Sequence, residues 1–147
     1  MKYQRDIHKN AHGQSLAEIV VTIGIVALLV TGVVVATTTS LRNNQAGRVR
    51  SLAVQFAQEG IELTRDLRGA GWSDFQGYSG LWCLDKNRIW TQAVGTCEVN
   101  IDEVFTRSVA FTWNAIDERM EVAVSVAWND AGIPRSTTLE TYLTDWK

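Results

Sequence analysis

The sequence predicts an α+β protein in which a long N-terminal α-helix packs against a C-terminal three-stranded antiparallel sheet, and three patterns carry this prediction. Residues 19–41, a run of 23, contain no charged side chain. Over residues 49–67 apolar side chains recur at steps of three and four, the spacing of an amphipathic helix. After residue 104, three stretches alternate apolar and polar side chains, which is typical of half-buried strands. A chain of 147 residues has the length of one ordinary domain.

The uncharged run, called the apolar segment below, is long enough to cross a membrane. As a helix, 23 residues cover about 35 Å, whereas the hydrocarbon core of a bilayer is roughly 30 Å thick. No second run of this kind occurs in the sequence, which argues against a multi-span transporter. A secretory signal has a shorter apolar core and small residues at its cleavage site, and residues 37–40 do not form such a site. We therefore expect the segment to be a permanent anchor.

A short basic leader precedes the apolar segment and ends in glycine. Gly13 is followed by Gln14 and Ser15, and Glu18 stands five residues after the glycine, at the edge of the apolar segment. This pattern resembles the class III signal of type IV pilins and pseudopilins. In that family a prepilin peptidase cleaves after the glycine and methylates the new amino terminus. The resemblance implies that residues 1–13 are removed and that Gln14 becomes the N-methylated first residue.

Glu18 is the candidate residue for subunit assembly. A carboxylate beside an apolar segment is costly unless it finds a partner, and such residues are usually functional. In a filament core, Glu18 is expected to pair with the free amine of Gln14 on a neighbouring subunit, which would set the subunit register. The alternative is that Glu18 only marks the aqueous end of the span.

Two positions depart from the family pattern. Gln14 replaces the phenylalanine or other apolar residue that is usual there, and Val35 stands where many major pilins have a helix-kinking proline. Gly24 and Gly32 are candidates to soften the helix instead, at about 1 kcal/mol each relative to alanine. The missing proline favours a minor pilin over a major one.

The helix is predicted to run on without a break from Ser15 to Arg68 and to stop at the glycines 69 and 71. Its first part, residues 14–41, is the transmembrane and polymerisation helix. Its second part, residues 42–68, is amphipathic, and its apolar stripe is available to cover a sheet.

Residues 69–104 are rich in glycine and aromatic residues and are predicted to form an irregular connection. Cys83 and Cys97 would close a 15-residue loop there. In an oxidising compartment such a pair is expected to form a disulfide, worth about 3 kcal/mol. A metal site is the weaker alternative, because two thiolates do not complete a tetrahedral zinc shell and no histidine is near.

The last section, residues 105–147, is predicted to be an antiparallel β-meander. Its strands are expected at residues 107–113, 120–128 and 137–144, with turn signals at 114–117 and 129–132. The short connections suit antiparallel neighbours. Its apolar face would pack on the stripe of the helix.

The residue inventory argues against catalysis. Both histidines, His8 and His12, lie in the predicted leader, so the mature chain would hold no Ser-His-Asp or Cys-His system and no His-ligated metal. No glycine-rich phosphate loop is present. The sequence therefore predicts no enzyme, no metal and no cofactor.

Charge is unevenly distributed along the chain. Residues 42–68 carry a net charge of +2, whereas residues 69–147 carry −5. Affinity for duplex DNA depends on neutralising phosphates, so an acidic C-terminal part does not favour a nucleic-acid partner.

Taken together, the chain resembles a type IV pilus minor pilin. The resemblance implies four partners: prepilin peptidase, other pilin subunits, an inner-membrane assembly platform, and the membrane before assembly. It also implies a single-pass membrane protein that later moves to an extracellular pilus or a periplasmic pseudopilus. Two alternatives remain open. One is a pseudopilin of a type II secretion or competence machine. The other is a membrane-anchored binding domain that does not polymerise and whose aromatic loop, residues 72–90, contacts a ligand.

Overall fold

The structure, a computed structural model, describes residues 11–145, with side chains from Leu16 onward. Its elements in chain order are two helices and five strands: α1 (Ala11–Ala70), α2 (Trp72–Phe75), β1 (Gly80–Leu84), β2 (Trp90–Gln92), β3 (Phe105–Asn114), β4 (Arg119–Asp130) and β5 (Ile133–Thr144). The chain divides into two units between Gln45 and Ala46. The second unit, residues 46–145 of the described chain, is called the head below.

The long helix is confirmed. Helix α1 continues without interruption through Gly24 and Gly32, and it ends at Ala70, two residues beyond the predicted end. Gly69 lies inside the last turn and Gly71 is the first residue outside it. Glycine lowers helix stability without blocking the helix, so isolated glycines do not break it.

The prediction of three strands was wrong, because the sheet has five, in the order β2-β1-β3-β4-β5, and all neighbours are antiparallel. The two additional strands, β1 and β2, lie in residues 69–104, which were expected to be an irregular connection. They have five and three residues, too few to display a readable alternation. Strand β1 gains its hydrogen-bonding partner from β3, with Trp82 opposite Val109, and this pairing is not visible locally.

The three strands that the alternation predicted are confirmed, and each is longer than expected. Strands β3 and β4 pair over ten residues, and β4 and β5 over twelve. The β4–β5 turn consists of Ala131 and Gly132, both with positive φ, as a tight two-residue hairpin requires. Pro134 lies inside β5, opposite Asn129. A proline is tolerated there because β5 is at the edge of the sheet.

The core of the head lies between the second half of α1 and the inner face of the sheet. Alternate residues of β3 and β4 are buried there, and small residues of the helix face them. The members from the helix are Ala53, Ala57 and Ile61, and those from the two strands are Phe105, Val109, Phe111, Met120, Val122, Val124 and Val126. Small helix residues let the helix axis come close to the sheet, which increases the contact between the two layers.

Gly60 marks the closest approach of helix and sheet. A Cβ atom at this position would lie 2.7 Å from Cγ1 of Val124 and 3.5 Å from Cδ of Arg107. We expect Gly60→Ala to destabilise the head by about 1–2 kcal/mol, because overpacking outweighs the gain of about 1 kcal/mol in helix propensity. Thermal unfolding of the full chain in detergent, followed by tryptophan near-ultraviolet circular dichroism, measures this change.

The matched control is Gly47→Ala. A Cβ atom at Gly47 meets nothing within 4 Å, so this variant is expected to be more stable than the wild type by up to about 1 kcal/mol. Equal shifts in the same direction for both variants would contradict the close approach at Gly60.

Candidate assembly segment

The predicted cleavage junction lies at the beginning of the described chain. Residues 1–10, which include His8, lie outside it, and so do the side chains of His12 and Gln14. The backbone of Gly13 and Gln14 lies within α1. Cleavage of the leader and methylation of Gln14 therefore remain predictions from the sequence.

Glu18 is exposed and is the last charged residue before the apolar segment. Its carboxylate has no hydrogen bond or ion pair with any residue that the structure describes, whereas its backbone carbonyl accepts a hydrogen bond from Oγ1 of Thr22 at 2.8 Å. A carboxylate in this position remains available to a group outside the described chain.

The apolar segment has no cover from the described chain. Its large apolar side chains are 52–76% exposed, and they point in all directions around the helix. Helix α1 is long and apolar enough to cross a membrane, and it is the one described helix with these properties. A continuous apolar surface of this size on a folded protein marks contact with lipid or with another protein.

The threonine side chains of the segment are satisfied within the helix. The hydroxyls of Thr22, Thr31, Thr38 and Thr39 donate to the carbonyl oxygens four residues earlier, at 2.8–3.0 Å. Thr37 makes the same bond to Val33. Hydroxyls bonded in this way expose no unpaired donor to an apolar environment. The threonines are therefore compatible with a hydrocarbon or helical surrounding.

A buried arginine that was not predicted from the sequence joins the helix and the sheet of the head. Arg107 is 0% exposed. Its guanidinium donates to Glu59 Oε2 at 2.8 Å and to the carbonyl oxygens of Phe56, Leu84 and Asp85 at 2.8–3.1 Å. One side chain from β3 therefore binds helix α1 and the end of β1 at the same time. A buried charge with this set of acceptors is compensated, and removing it leaves them unsatisfied.

The apolar periodicity of the strand and of the helix could have predicted this contact from the sequence. Arg107 falls in the same strand phase as Val109 and Phe111, which face the core, and Glu59 lies beside the apolar stripe of the helix between Phe56 and Leu63. A charged residue in the apolar phase of each of two elements predicts a buried ion pair.

The predicted disulfide is present in the structure. Cys83 on β1 and Cys97 after β2 are joined with an S–S distance of 2.03 Å. The bond ties the β1–β2 hairpin to the segment that leads to β3. The stretch between the two cysteines, residues 84–96, is thereby anchored at both ends.

The aromatic residues of 72–90 pack on one another. The ring of Tyr78 lies 4.9 Å from Trp82, 5.3 Å from Phe111 and 6.4 Å from Trp90, measured between ring centroids. The three tryptophans of this section, at 72, 82 and 90, are half-buried. Rings in mutual contact fill the end of the core, so they offer no open aromatic platform for a ligand.

Glu121 on β4 belongs to a polar cluster at the β3–β4 turn. Hydrogen bonds from Asn114 Nδ2 at 3.1 Å and from the guanidinium of Arg119 lower the pKa of its carboxyl. Asn114 also accepts from the backbone amides of Ile116 and Asp117, as an Asx turn does. This cluster holds the turn.

Comparison with protein-family models, with curated proteins and with solved structures gives no match. The function is therefore inferred from the chain itself, from its uncovered apolar segment and the head to which it is joined.

Proposed function

We propose that this protein is a structural subunit of a type IV pilus, a minor pilin that is processed by a prepilin peptidase and assembled through its N-terminal helix. The observation that carries the proposal is the apolar segment, which is exposed all around and belongs to the same helix that packs on the sheet of the head. Such a segment needs lipid before assembly and neighbouring helices afterwards. A pilin subunit requires both surroundings in turn.

Glu18 supplies the specific contact in this proposal. The apolar segment packs against copies of itself or against related helices, but apolar packing alone defines no register. The carboxylate of Glu18 is free of partners in the described chain, and cleavage after Gly13 would create a free amine at Gln14. Pairing of the two groups between neighbouring subunits satisfies both charges in a medium of low dielectric constant, where the attraction is strong.

The head contributes a rigid surface. Arg107 fixes the helix to the sheet, and the disulfide fixes the β1–β2 hairpin. A subunit that is pulled out of the membrane by its neighbours has to resist mechanical unfolding. Arg107 opposes separation of helix and sheet, and the disulfide opposes unravelling of the β1–β2 hairpin. A membrane-anchored ligand-binding domain is less well supported, because the aromatic rings that would contact the ligand pack on one another.

Processing of the leader provides the direct test of the proposal. Intact-mass measurement of the native protein is expected to show a chain that starts at Gln14 and carries one added methyl group. Gly13→Val is expected to leave the leader uncleaved, because a side chain at this position prevents close approach of the protease backbone to the peptide bond. A native chain that retains Met1, or one that begins after Ser40, would contradict the proposal.

A further inference from the structure

A groove of about 480 Å³ lies on the head, between the first turns of its helix and the β4–β5 hairpin. Three elements form its walls: Ala46, Gly47 and Arg50 from α1, Trp128 and Asp130 from β4, and Arg135, Ser136 and Thr137 from β5. The indole of Trp128 is half-buried and its ring lies 6.3 Å from that of Phe105, so this wall is anchored in the core.

The charged side chains of the groove make no ion pair and no side-chain hydrogen bond with the residues that the structure describes. This holds for Arg50, Arg135 and Asp130. Some other charged groups of the head are paired, as in the contacts Arg65–Glu62 and Arg107–Glu59. The groove therefore presents two cations, one carboxylate and an indole to a ligand from outside.

We propose that this groove binds a phospholipid headgroup that carries both a phosphate and an ammonium group, as phosphatidylethanolamine does. Guanidinium groups donate paired hydrogen bonds to phosphate oxygens, which assigns the phosphate to Arg50 and Arg135. The ammonium group binds to the Asp130 carboxylate and to the face of Trp128, an arrangement that suits a cation. An acidic peptide would satisfy the two arginines but would place its carboxylates against Asp130.

The position of the groove in the chain favours a lipid source. Ala46 follows Leu41, the last residue of the apolar segment, by five residues, and five residues of fully extended chain span at most about 18 Å. Once the apolar segment is in a bilayer, the helix wall of the groove is tethered beside the headgroup layer. This inference requires membrane insertion of the segment, but it requires neither cleavage at Gly13 nor polymerisation.

Native mass spectrometry of the full chain tests the proposal. The protein is released from nanodiscs that contain equal amounts of phosphatidylethanolamine and phosphatidylglycerol, and the lipid molecules that it retains are counted. The wild type is expected to keep one phosphatidylethanolamine in preference. Arg135→Gln is expected to lower this retention about tenfold, as loss of a charge-assisted hydrogen bond does. Asp130→Asn is expected to remove the preference for phosphatidylethanolamine over phosphatidylglycerol.

Arg48→Gln is the matched control. Arg48 is exposed on the same helix and close to the apolar segment, but it does not line the groove, so lipid retention is expected to be unchanged. Arg135 lies on β5, is exposed and makes no hydrogen bond or ion pair with its side chain within the described residues, and an unchanged melting temperature verifies that Arg135→Gln is folded. Three results would overturn the proposal. They are equal losses for Arg48→Gln and Arg135→Gln, unchanged retention in Arg135→Gln, and displacement of the lipid by soluble glycerophosphoethanolamine at equal concentration. Loss of a bound partner protein in Arg135→Gln, with lipid retention intact, would assign the groove to a protein contact instead.

Discussion

Arg107→Ala is expected to destabilise the head by about 3–5 kcal/mol, the cost of breaking a buried ion pair by removing one partner. The substitution removes a donor from the carbonyl oxygens of Phe56, Leu84 and Asp85 and from the carboxylate of Glu59. That carboxylate is 37% exposed and keeps, among the described residues, only the more distant Arg88, at 3.8 Å. The substitution also removes the contact that joins helix α1 to β1. Urea unfolding of the full chain in detergent, followed by tryptophan fluorescence, measures the free energy of unfolding directly.

Three further variants separate the parts of this contact. Arg107→Lys keeps the charge but has no planar fork for four acceptors, so an intermediate loss is expected. Glu59→Gln keeps an acceptor and is expected to cost about 1–2 kcal/mol. Glu62→Gln removes the exposed partner of Arg65 and is expected to cost less than about 1 kcal/mol. If Arg107→Ala were no more harmful than Glu62→Gln, the guanidinium would not anchor the head.

Glu18→Ala is expected to leave cleavage and membrane insertion intact but to lower incorporation into filaments at least tenfold. The carboxylate has no partner in the described chain, so its removal affects no contact within the subunit. In an assembled filament, however, it would leave the amine of Gln14 unpaired among apolar helices, and an unpaired buried charge is strongly unfavourable. The ratio of subunit in sheared filaments to subunit in membranes, measured by quantitative immunoblotting, gives the effect.

Two variants of the same helix complete the test of Glu18. Glu18→Gln keeps the size of the side chain and removes the charge, so it is expected to behave like Glu18→Ala. Thr22→Ala removes a hydroxyl that is bonded within its own helix, and normal incorporation is expected. Undiminished incorporation of Glu18→Ala would mean that Glu18 only marks the aqueous end of the apolar segment.

Local periodicity was sufficient to predict α1, β3, β4 and β5, because each of these elements repeats its pattern several times. It was not sufficient for β1 and β2. Their strand conformation depends on hydrogen bonds to β3, which residues far along the chain provide. Short strands of this kind are specified by the sheet that they join.

The candidate sites likewise include features that the local sequence predicts and features that depend on tertiary contacts. The apolar segment and the position of Glu18 at its edge are evident from the order of residues in the sequence alone. The acceptors of Arg107 are mostly backbone carbonyl oxygens, and no side-chain pattern identifies which carbonyls will converge on a guanidinium. The groove likewise depends on a tertiary contact, since Arg50 and Arg135 are separated by 85 positions in the sequence.

The internally bonded threonines of the apolar segment have a consequence for reversibility. Because each hydroxyl keeps its bond to the carbonyl one turn earlier, no hydrogen bond within this segment has to break or form when lipid is exchanged for protein helices. For a subunit that leaves the bilayer and later returns to it, the transfer of this segment is then close to neutral in polar interactions. Under the proposed function, the direction of this transfer is then decided by a few charged groups at the ends of the segment, and the transfer is reversible.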